Sequence, residues 1–254
     1  MFVINDSNWQ QVAAAPPSHH YGLVRRDYSA MPLGSLPFAA EYDMPLISVD
    51  EIEDRIADQE RNKSSLEHIR ADCGIRSLDQ DGYGYCWAFS TTKAVMLLRA
   101  AQNQPTVELS GWAVGSIVKN YRDEGGWCQQ SLEFGVNVGF PSLAVWPQGQ
   151  VKRSLDTPEM RADAATRKVT EWMDMEPRNK LQLASNLLRN IPTMCDFNWW
   201  SHSVCAFRLL SWNPFRIKID NSWTPTWGDN GCAVLEGNKA IPDGMACPRV
   251  TIAS

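Results

Sequence analysis

The sequence predicts an α+β fold in which a helical half precedes a half built from antiparallel strands. Between Cys86 and Gln102 there is no proline or glycine, and apolar residues recur among small ones, as in a buried helix. From about Ile191 onward the apolar runs are short and are bounded by Asn, Pro and Gly, which is typical of strands joined by turns. Helices followed by strands predict two lobes with a cleft between them.

Composition narrows the class of protein. The chain has 254 residues, of which 44% are hydrophobic and 21% charged, enough for one large domain or two lobes. The net charge is −5 and no dense run of Lys and Arg occurs, which argues against a nucleic-acid partner. The first six residues carry an acid, Asp6, where a signal peptide carries positive charge, and no long apolar run follows. We therefore expect no secretion signal, no membrane partner and a cytoplasmic origin.

The cysteines predict reduced thiols rather than a disulfide framework or a metal site. Seven cysteines occur, so at least one must be unpaired, and they form no dense pattern. No Cys-x2-Cys pair exists, and Cys195, His202 and Cys205 offer only three ligands at irregular spacing. We expect no metal and no cofactor.

The N-terminal segment, residues 1–70, is predicted to be an extended arm followed by a helix. Prolines at 16, 17, 32, 37 and 45 favour extended backbone. Acidic residues after Ser48, with Ile52 and Ile56 at helical spacing, predict a helix from about 49 to the high 60s. The arm is expected to mask the cleft or to bind a partner. Its four aromatic residues are expected to be anchored in pockets on another surface. They are Tyr21, Tyr28, Phe38 and Tyr42.

Residues 71–254 are predicted to form the main domain, with a helical lobe at about 86–150 and a β lobe at about 190–254. Further helices are expected at 112–121 and 131–138. Residues 158–190 are also predicted to be helical, with an apolar face of Trp172, Met173, Leu183, Leu187 and Leu188. Strands are expected at 204–210, 215–219 and 232–235.

Cys86 stands at the predicted start of a helix, with Gln80 six residues before it. A thiol is a nucleophile only as the thiolate, which the positive end of a helix and a nearby imidazole both favour. An acyl transfer also needs hydrogen-bond donors aimed at the developing oxyanion. The segment from Gln80 through Cys86-Trp87-Ala88-Phe89-Ser90 closely resembles the papain-family signature around its nucleophile.

That resemblance extends to the rest of the site and implies roles for its residues. Gln80 and the backbone N–H of Cys86 would form the oxyanion hole, and Gly84 would let the loop approach the substrate. Ser201-His202-Ser203-Val204 resembles the segment that presents the catalytic imidazole, and Asn221-Ser222-Trp223 resembles the segment that orients it. Asn221 would accept the imidazole N–H, Trp223 would shield that bond, and Gly125-Gly126-Trp127 would pair with an extended peptide.

The sequence also departs from the family pattern. Tyr83 and Asp123 stand where the family has two bridged cysteines, so that disulfide is absent. Tyr85 and Thr224 replace small residues and could narrow the cleft. The 116 residues between Cys86 and His202 fall short of the usual ~130 to 150, which predicts that the β lobe has lost loops.

The inhibitory helix of the family's zymogens is matched only in part. Glu51 and Arg55 fit its first two positions, but Gln59 breaks the pattern. A conventional zymogen segment is therefore not expected.

The sequence favours a cysteine endopeptidase acting on peptides or proteins through Cys86, His202 and Asn221. One alternative is a papain-fold component of a large assembly, such as a virus particle, with the arm as its tether. Another is hydrolysis of cell-wall peptide crosslinks, which needs the same catalytic groups. The expected location is accordingly the cytoplasm or a virus particle.

Overall fold

A computed structural model describes residues 1–30 and 39–251 of the chain. The α-helices are α1 Trp9–Val12, α2 Val49–Arg61, α3 Leu66–Asp72, α4 Cys86–Ala101, α5 Gly111–Val118, α6 Cys128–Asn137, α7 Pro158–Ala165 and α8 Lys180–Leu187. The strands are β1 Val3–Ile4, β2 Ala39–Glu41, β3 Val169–Met175, β4 Thr193–Phe197, β5 His202–Ser211, β6 Arg216–Asp220, β7 Cys232–Glu236 and β8 Gly244–Thr251.

The central element of the helical half is α4, which begins at Cys86 as predicted. All of its residues from Cys86 to Ala100 are buried, which explains why the sequence there shows no polar face. The helix packs against α3, α5 and α6, and also against β5 and β8 of the sheet. The first turn of α4 therefore lies where the helical and strand halves meet.

The strands form one eight-stranded sheet in the order β1-β7-β6-β5-β4-β8-β3-β2. The inner pairings are antiparallel, as predicted for the β lobe. The edge strands β1 and β2 pair in parallel with their neighbours, and both belong to the N-terminal segment. The arm therefore completes both edges of the sheet, which leaves fewer unpaired backbone groups there. The division into segments 1–70 and 71–254 stays a prediction.

The helical interpretation of residues 158–190 is wrong in its middle. Helices α7 and α8 lie within this range, but residues 169–175 between them form strand β3. Trp172 and Met173 are both buried in that strand rather than on one helical face. Because β3 is covered on both faces, its apolar residues follow no period of two that would distinguish it from a helix.

The predicted N-terminal helix is two helices. The first, α2, ends at Arg61, and Lys63 then adopts a φ of 49°, in the left-handed region that ends helices. The chain resumes as α3 at Leu66. A run of polar and charged residues across positions 58–63 concealed this break from the sequence pattern.

The expected aromatic anchors of the arm differ in their burial. Tyr28 is buried and Tyr42 half-buried, whereas Tyr21 is 44% exposed, so the prediction of a pocket is wrong for Tyr21. The Tyr21 ring instead lies edge-on against the rings of His202 and Trp223. Phe38 lies outside the described residues.

The close approach of α4 and α5 predicts a measurable packing penalty. A Cβ at Gly115 would lie 2.5 Å from the ring of Tyr85. We expect Gly115→Ala to lower the free energy of unfolding by about 1–3 kcal/mol, because the core would be overpacked. Urea unfolding would measure it. Adding Tyr85→Leu to Gly115→Ala should restore part of the lost free energy of unfolding. If the effects of the two substitutions on that free energy simply add, the Tyr85 ring is not the cause of the loss.

Candidate active site

Cys86 is the first residue of α4 and is fully buried. Backbone N–H groups of Trp87, Ser203 and Gly22 lie near its sulfur and act to lower the pKa of the thiol. Trp87 belongs to the helix, Ser203 to strand β5, and Gly22 to the arm. The sulfur therefore lies where the helical half, the strand half and the arm meet.

His202 is the first residue of β5, and its ring is fixed by Asn221. The distance from His202 Nε2 to Asn221 Oδ1 is 2.7 Å. The same oxygen accepts the backbone N–H of Ser222 at 2.8 Å, so it is an acceptor and Nε2 carries the proton. The other nitrogen, Nδ1, is buried and has no hydrogen-bond partner among the described residues. Its lone pair is thus available to take a proton.

Aromatic rings surround this imidazole. The centroid of the Trp223 ring lies 4.4 Å from that of His202, and the Trp200 ring lies at 5.0 Å. Tyr21 of the arm adds a third ring at 6.3 Å. The His202–Asn221 hydrogen bond is therefore shielded from water, the arrangement that the resemblance implied for Trp223.

Gln80 presents its amide N–H groups to the cleft. Its Oε1 accepts the Ser222 hydroxyl at 2.6 Å, which sets the orientation of the amide. Its Nε2 donates to the carbonyl of Tyr83 at 2.6 Å and to the carbonyl of His20 at 3.0 Å. Because His20 belongs to the arm, one donor of Gln80 already binds a carbonyl of a chain lying in the cleft.

The arm crosses the cleft as an extended strand. Leu23 forms a parallel bridge with Gly126. Gly126 N–H donates to Gly22 C=O at 2.9 Å, and Val24 N–H donates to Gly126 C=O at 3.1 Å. On the opposite wall, Leu23 N–H donates to Ser201 C=O at 3.2 Å. The arm thus pairs with the glycines predicted to receive an extended peptide and masks the cleft.

Glycines allow this contact between backbones. A Cβ at Gly22 would lie 2.1 Å from the carbonyl oxygen of Gly84, and one at Gly125 would lie 2.6 Å from that of Gly22. Sequence reasoning missed Gly22 as part of the site. The signal was a glycine between two bulky residues in the arm, but nothing local identified the wall it touches.

Burial under the arm sets the protonation of the two reactive groups. Burial raises the pKa of the Cys86 thiol to about 12. Burial also lowers the pKa of His202 to about 4, against a smaller opposite effect of the hydrogen bond to Asn221. Thiol and imidazole are therefore both neutral near pH 7 while the arm is in place.

Trp127 directly precedes α6 and contacts the arm through its ring. The guanidinium of Arg26 lies over the Trp127 ring, 4.5 Å from its centroid. The five residues predicted to bind substrate therefore all lie around the arm or the imidazole, and their role in binding stays a prediction. They are Gly84, Gly125, Gly126, Trp127 and Trp223.

The expectation that Tyr85 narrows the cleft is wrong. Its side chain is fully buried in the helical half, where its hydroxyl donates to the carbonyl of Arg122 at 2.7 Å. Thr224 adopts a φ of 71°, in the region that favours glycine, which accounts for the glycine that the family has there.

A hydrogen bond joins the loops that the family bridges with a disulfide. Asp123 Oδ1 accepts the backbone N–H of Gly84 at 2.7 Å. The neighbouring Tyr83 packs its ring against Trp112, with centroids 5.1 Å apart. All seven cysteines fall within the described residues, and all are unpaired.

The described part of the chain offers neither a metal cluster nor a membrane span. Within residues 1–30 and 39–251, no group of three or more His, Cys, Asp and Glu side chains could hold a metal ion. Among those same residues, no helix combines the length and the apolar character that crossing a bilayer requires.

Comparison with known proteins agrees with this geometry. Protein-family models give no match. Zingipain-2 of Zingiber officinale is 26% identical over 190 residues, which cover 65% of this chain and 84% of that protein. The resemblance to papain-like cysteine peptidases is confirmed. With it, the predicted class of enzyme, a papain-like thiol hydrolase, is confirmed too.

Solved structures show the papain-like fold. Procathepsin L 3 of the Tenebrio molitor larval midgut superposes with a TM-score of 0.60 at 18% identity, covering 69% of this chain and 66% of that chain. Xylellain, a cysteine protease from Xylella fastidiosa, gives a TM-score of 0.60 at 16% identity, covering 69% and 83%. The predicted two-lobe α+β fold of papain-like peptidases is therefore confirmed.

Proposed function

We propose that this chain is a cysteine endopeptidase whose own N-terminal arm occupies the cleft. The observation that carries the proposal is the path of the arm. A continuous polypeptide enters at His19, passes the sulfur of Cys86 and leaves at Arg26, with backbone hydrogen bonds to both walls. A cleft that holds the middle of a chain is suited to cleaving internal peptide bonds.

The proposed mechanism follows from the arrangement of the side chains. His202 Nδ1 takes the thiol proton, and the Cys86 sulfur attacks the substrate carbonyl carbon to form a C–S bond. Gln80 Nε2 and the Cys86 N–H stabilise the oxyanion. His202 then gives the proton to the leaving amine as the C–N bond breaks. Water hydrolyses the thioester with His202 as base, which restores the thiol.

The arm is bound as an inhibitor rather than as a substrate. The backbone N–H of Gly22 lies near the sulfur, and the carbonyl of Gly22 is held by the N–H of Gly126 at 2.9 Å. Attack instead requires a carbonyl carbon beside the sulfur with its oxygen at the oxyanion donors. The arm also keeps the site dry, which disfavours the thiolate–imidazolium pair. Displacing the arm should admit water and favour that charged pair.

Displacing the arm tests the proposal. In Gly22→Leu, the added side chain would overlap the Gly84 carbonyl, where even a Cβ would lie 2.1 Å away. We expect an epoxide thiol probe to label Cys86 at least about tenfold faster in this variant, because the competent state becomes more populated. Cleavage of an unfolded protein substrate should rise in parallel. Mass spectrometry would identify the labelled cysteine and the cleaved bonds.

Two variants serve as controls. Ala14→Leu adds similar bulk at an exposed position of the arm and should label as slowly as the parent. Adding Cys86→Ala to Gly22→Leu should abolish both labelling and cleavage. Rapid labelling of Cys86 without cleavage of any peptide or protein would contradict the peptidase proposal and favour a role in an assembly.

A further inference from the structure

A buried polar cluster lies beside the catalytic residues and has no part in the proposed mechanism. Its centre is Asp196 on β4, which is 1% exposed. The carboxyl group accepts the hydroxyl of Tyr28 at 2.6 Å, the hydroxyl of Ser203 at 2.5 Å and the thiol of Cys128 at 3.2 Å. We define these four residues as the Asp196 cluster.

The Asp196 cluster joins the two walls of the cleft. Ser203 directly follows His202, and its backbone N–H lies near the Cys86 sulfur and acts to lower the pKa of the thiol. Cys128 lies two residues after Gly126, which pairs with the arm. The Ser203 hydroxyl and the Cys128 thiol are thus contributed by the same segments that hold a chain in the cleft. A side chain of a bound peptide can therefore reach Asp196.

The arm shows what the pocket accommodates. Tyr28 is 6% exposed, and its ring packs against the backbone of β8. A Cβ at Gly244 would lie 2.2 Å from that ring, so the wall is shaped for a flat side chain. Arg26 covers the Tyr28 ring from the outside, 4.7 Å from its centroid.

Tyr28 must leave with the arm before a substrate enters. It lies six residues after Gly22, which contacts the sulfur. Its departure removes one of the three donors to a buried carboxyl group, and a buried polar group without its partner is costly. A ligand that restores the missing O–H is therefore favoured over one that cannot.

We propose that the pocket vacated by Tyr28 binds a tyrosine side chain of the substrate, with Asp196 accepting its phenolic hydrogen bond. This inference rests on the proposed peptidase function. Phenylalanine would fill the same space without a donor.

The charge of the pocket also favours tyrosine as its occupant. Burial raises the pKa of the Asp196 carboxyl above its ordinary value, although its hydrogen bonds act in the opposite direction. A less charged pocket favours a neutral phenol over an ammonium group, so lysine should be a poor occupant.

Peptidyl epoxides that differ in one side chain test this inference on the full chain carrying Gly22→Leu. Tyrosine, phenylalanine or lysine is placed in turn at each of the three positions nearest the epoxide, and the rate of Cys86 labelling is measured. At one position we expect tyrosine to exceed phenylalanine by about tenfold or more, since a site built around a hydrogen bond rejects the analogue that lacks it.

Asp196→Asn in the Gly22→Leu background should reduce the ratio of the tyrosine-probe rate to the phenylalanine-probe rate toward one. Asp174→Asn is the matched control, because the Asp174 carboxyl accepts from Gln129 at 3.2 Å and should leave the ratio unchanged. Even if the Asp196 variant fails to fold, the ratio of tyrosine-probe to phenylalanine-probe labelling in Gly22→Leu tests the tyrosine pocket.

Three results would overturn the inference. Equal labelling by the tyrosine and phenylalanine probes at every position, or faster labelling by the lysine probe, would refute the tyrosine pocket and leave the peptidase intact. Failure of every probe to label Cys86 would reject the peptidase function and the pocket with it.

Discussion

Replacing His202 with alanine is expected to slow acylation of Cys86 by about 100- to 10,000-fold, the range typical of a lost general acid–base group. The imidazole Nδ1 has no other hydrogen-bond partner in the described chain, and Asn221 holds the ring in the tautomer that accepts a proton there. The measurement is single-turnover cleavage of a fluorogenic peptide in the Gly22→Leu background, where the arm no longer masks the sulfur.

The pH profile distinguishes loss of a base from loss of structure. Without His202 the thiol must ionise by itself, so the residual rate should keep rising with pH toward the thiol pKa. The parent rate should instead level off near neutral pH, where the imidazole already holds the thiol proton. Asn221→Ala should cost less than the loss of His202, since it removes the orienting partner and not the base. Equal rates in the parent and His202→Ala would refute the mechanism.

Asp220→Asn is expected to destabilise the folded protein by about 3–5 kcal/mol, the usual effect of removing one partner from a buried ion pair. Asp220 lies at the end of β6, directly before Asn221, and its side chain is 2% exposed. It accepts from Arg70 at 3.0 Å and lies 3.9 Å from the ammonium group of Lys93, which is also 2% exposed. Urea unfolding at pH 7 would measure the loss.

The pH dependence of that loss identifies Lys93 as its cause. Burial lowers the pKa of Lys93 below its ordinary value of 10.5, and Asp220 opposes this effect. In the variant the folded state should therefore bind fewer protons than the unfolded state as pH rises toward 10.5. The free energy of unfolding of Asp220→Asn should then increase with pH in this window. Its loss of stability relative to the parent should therefore be smaller near pH 10.5 than at neutral pH.

A double variant provides the control. Lys93→Met combined with Asp220→Asn removes both buried charges and should recover most of the stability, because replacement of a buried pair is far less costly than its disruption. The Arg70 side chain is 17% exposed, so water can hydrate its guanidinium when Asp220 is lost. A double variant no more stable than Asp220→Asn would assign the effect to Arg70 instead.

Much of the site could be predicted from the sequence because its signals are local. Cys86 could be placed at a helix start from the uninterrupted pattern that follows it, and the Asn221-Ser222-Trp223 segment carries its own signature. Strand β3 could not be recognised because burial on both faces removes the alternation that identifies a strand. The orientation of Tyr85 was equally hidden, since its place beside the nucleophile in sequence does not tell which way its ring points.

The candidate catalytic residues and the order of the two halves could be predicted from the sequence, because a nucleophile motif, a helix period and a strand pattern are properties of short segments. The three-dimensional structure was needed to show that the arm completes both sheet edges and crosses the cleft between them. It was also needed to show that Tyr28 donates a hydrogen bond to Asp196, 168 positions away. Such contacts depend on the shape of surfaces assembled from distant segments, and no local pattern of side chains encodes which wall a given glycine or tyrosine will touch.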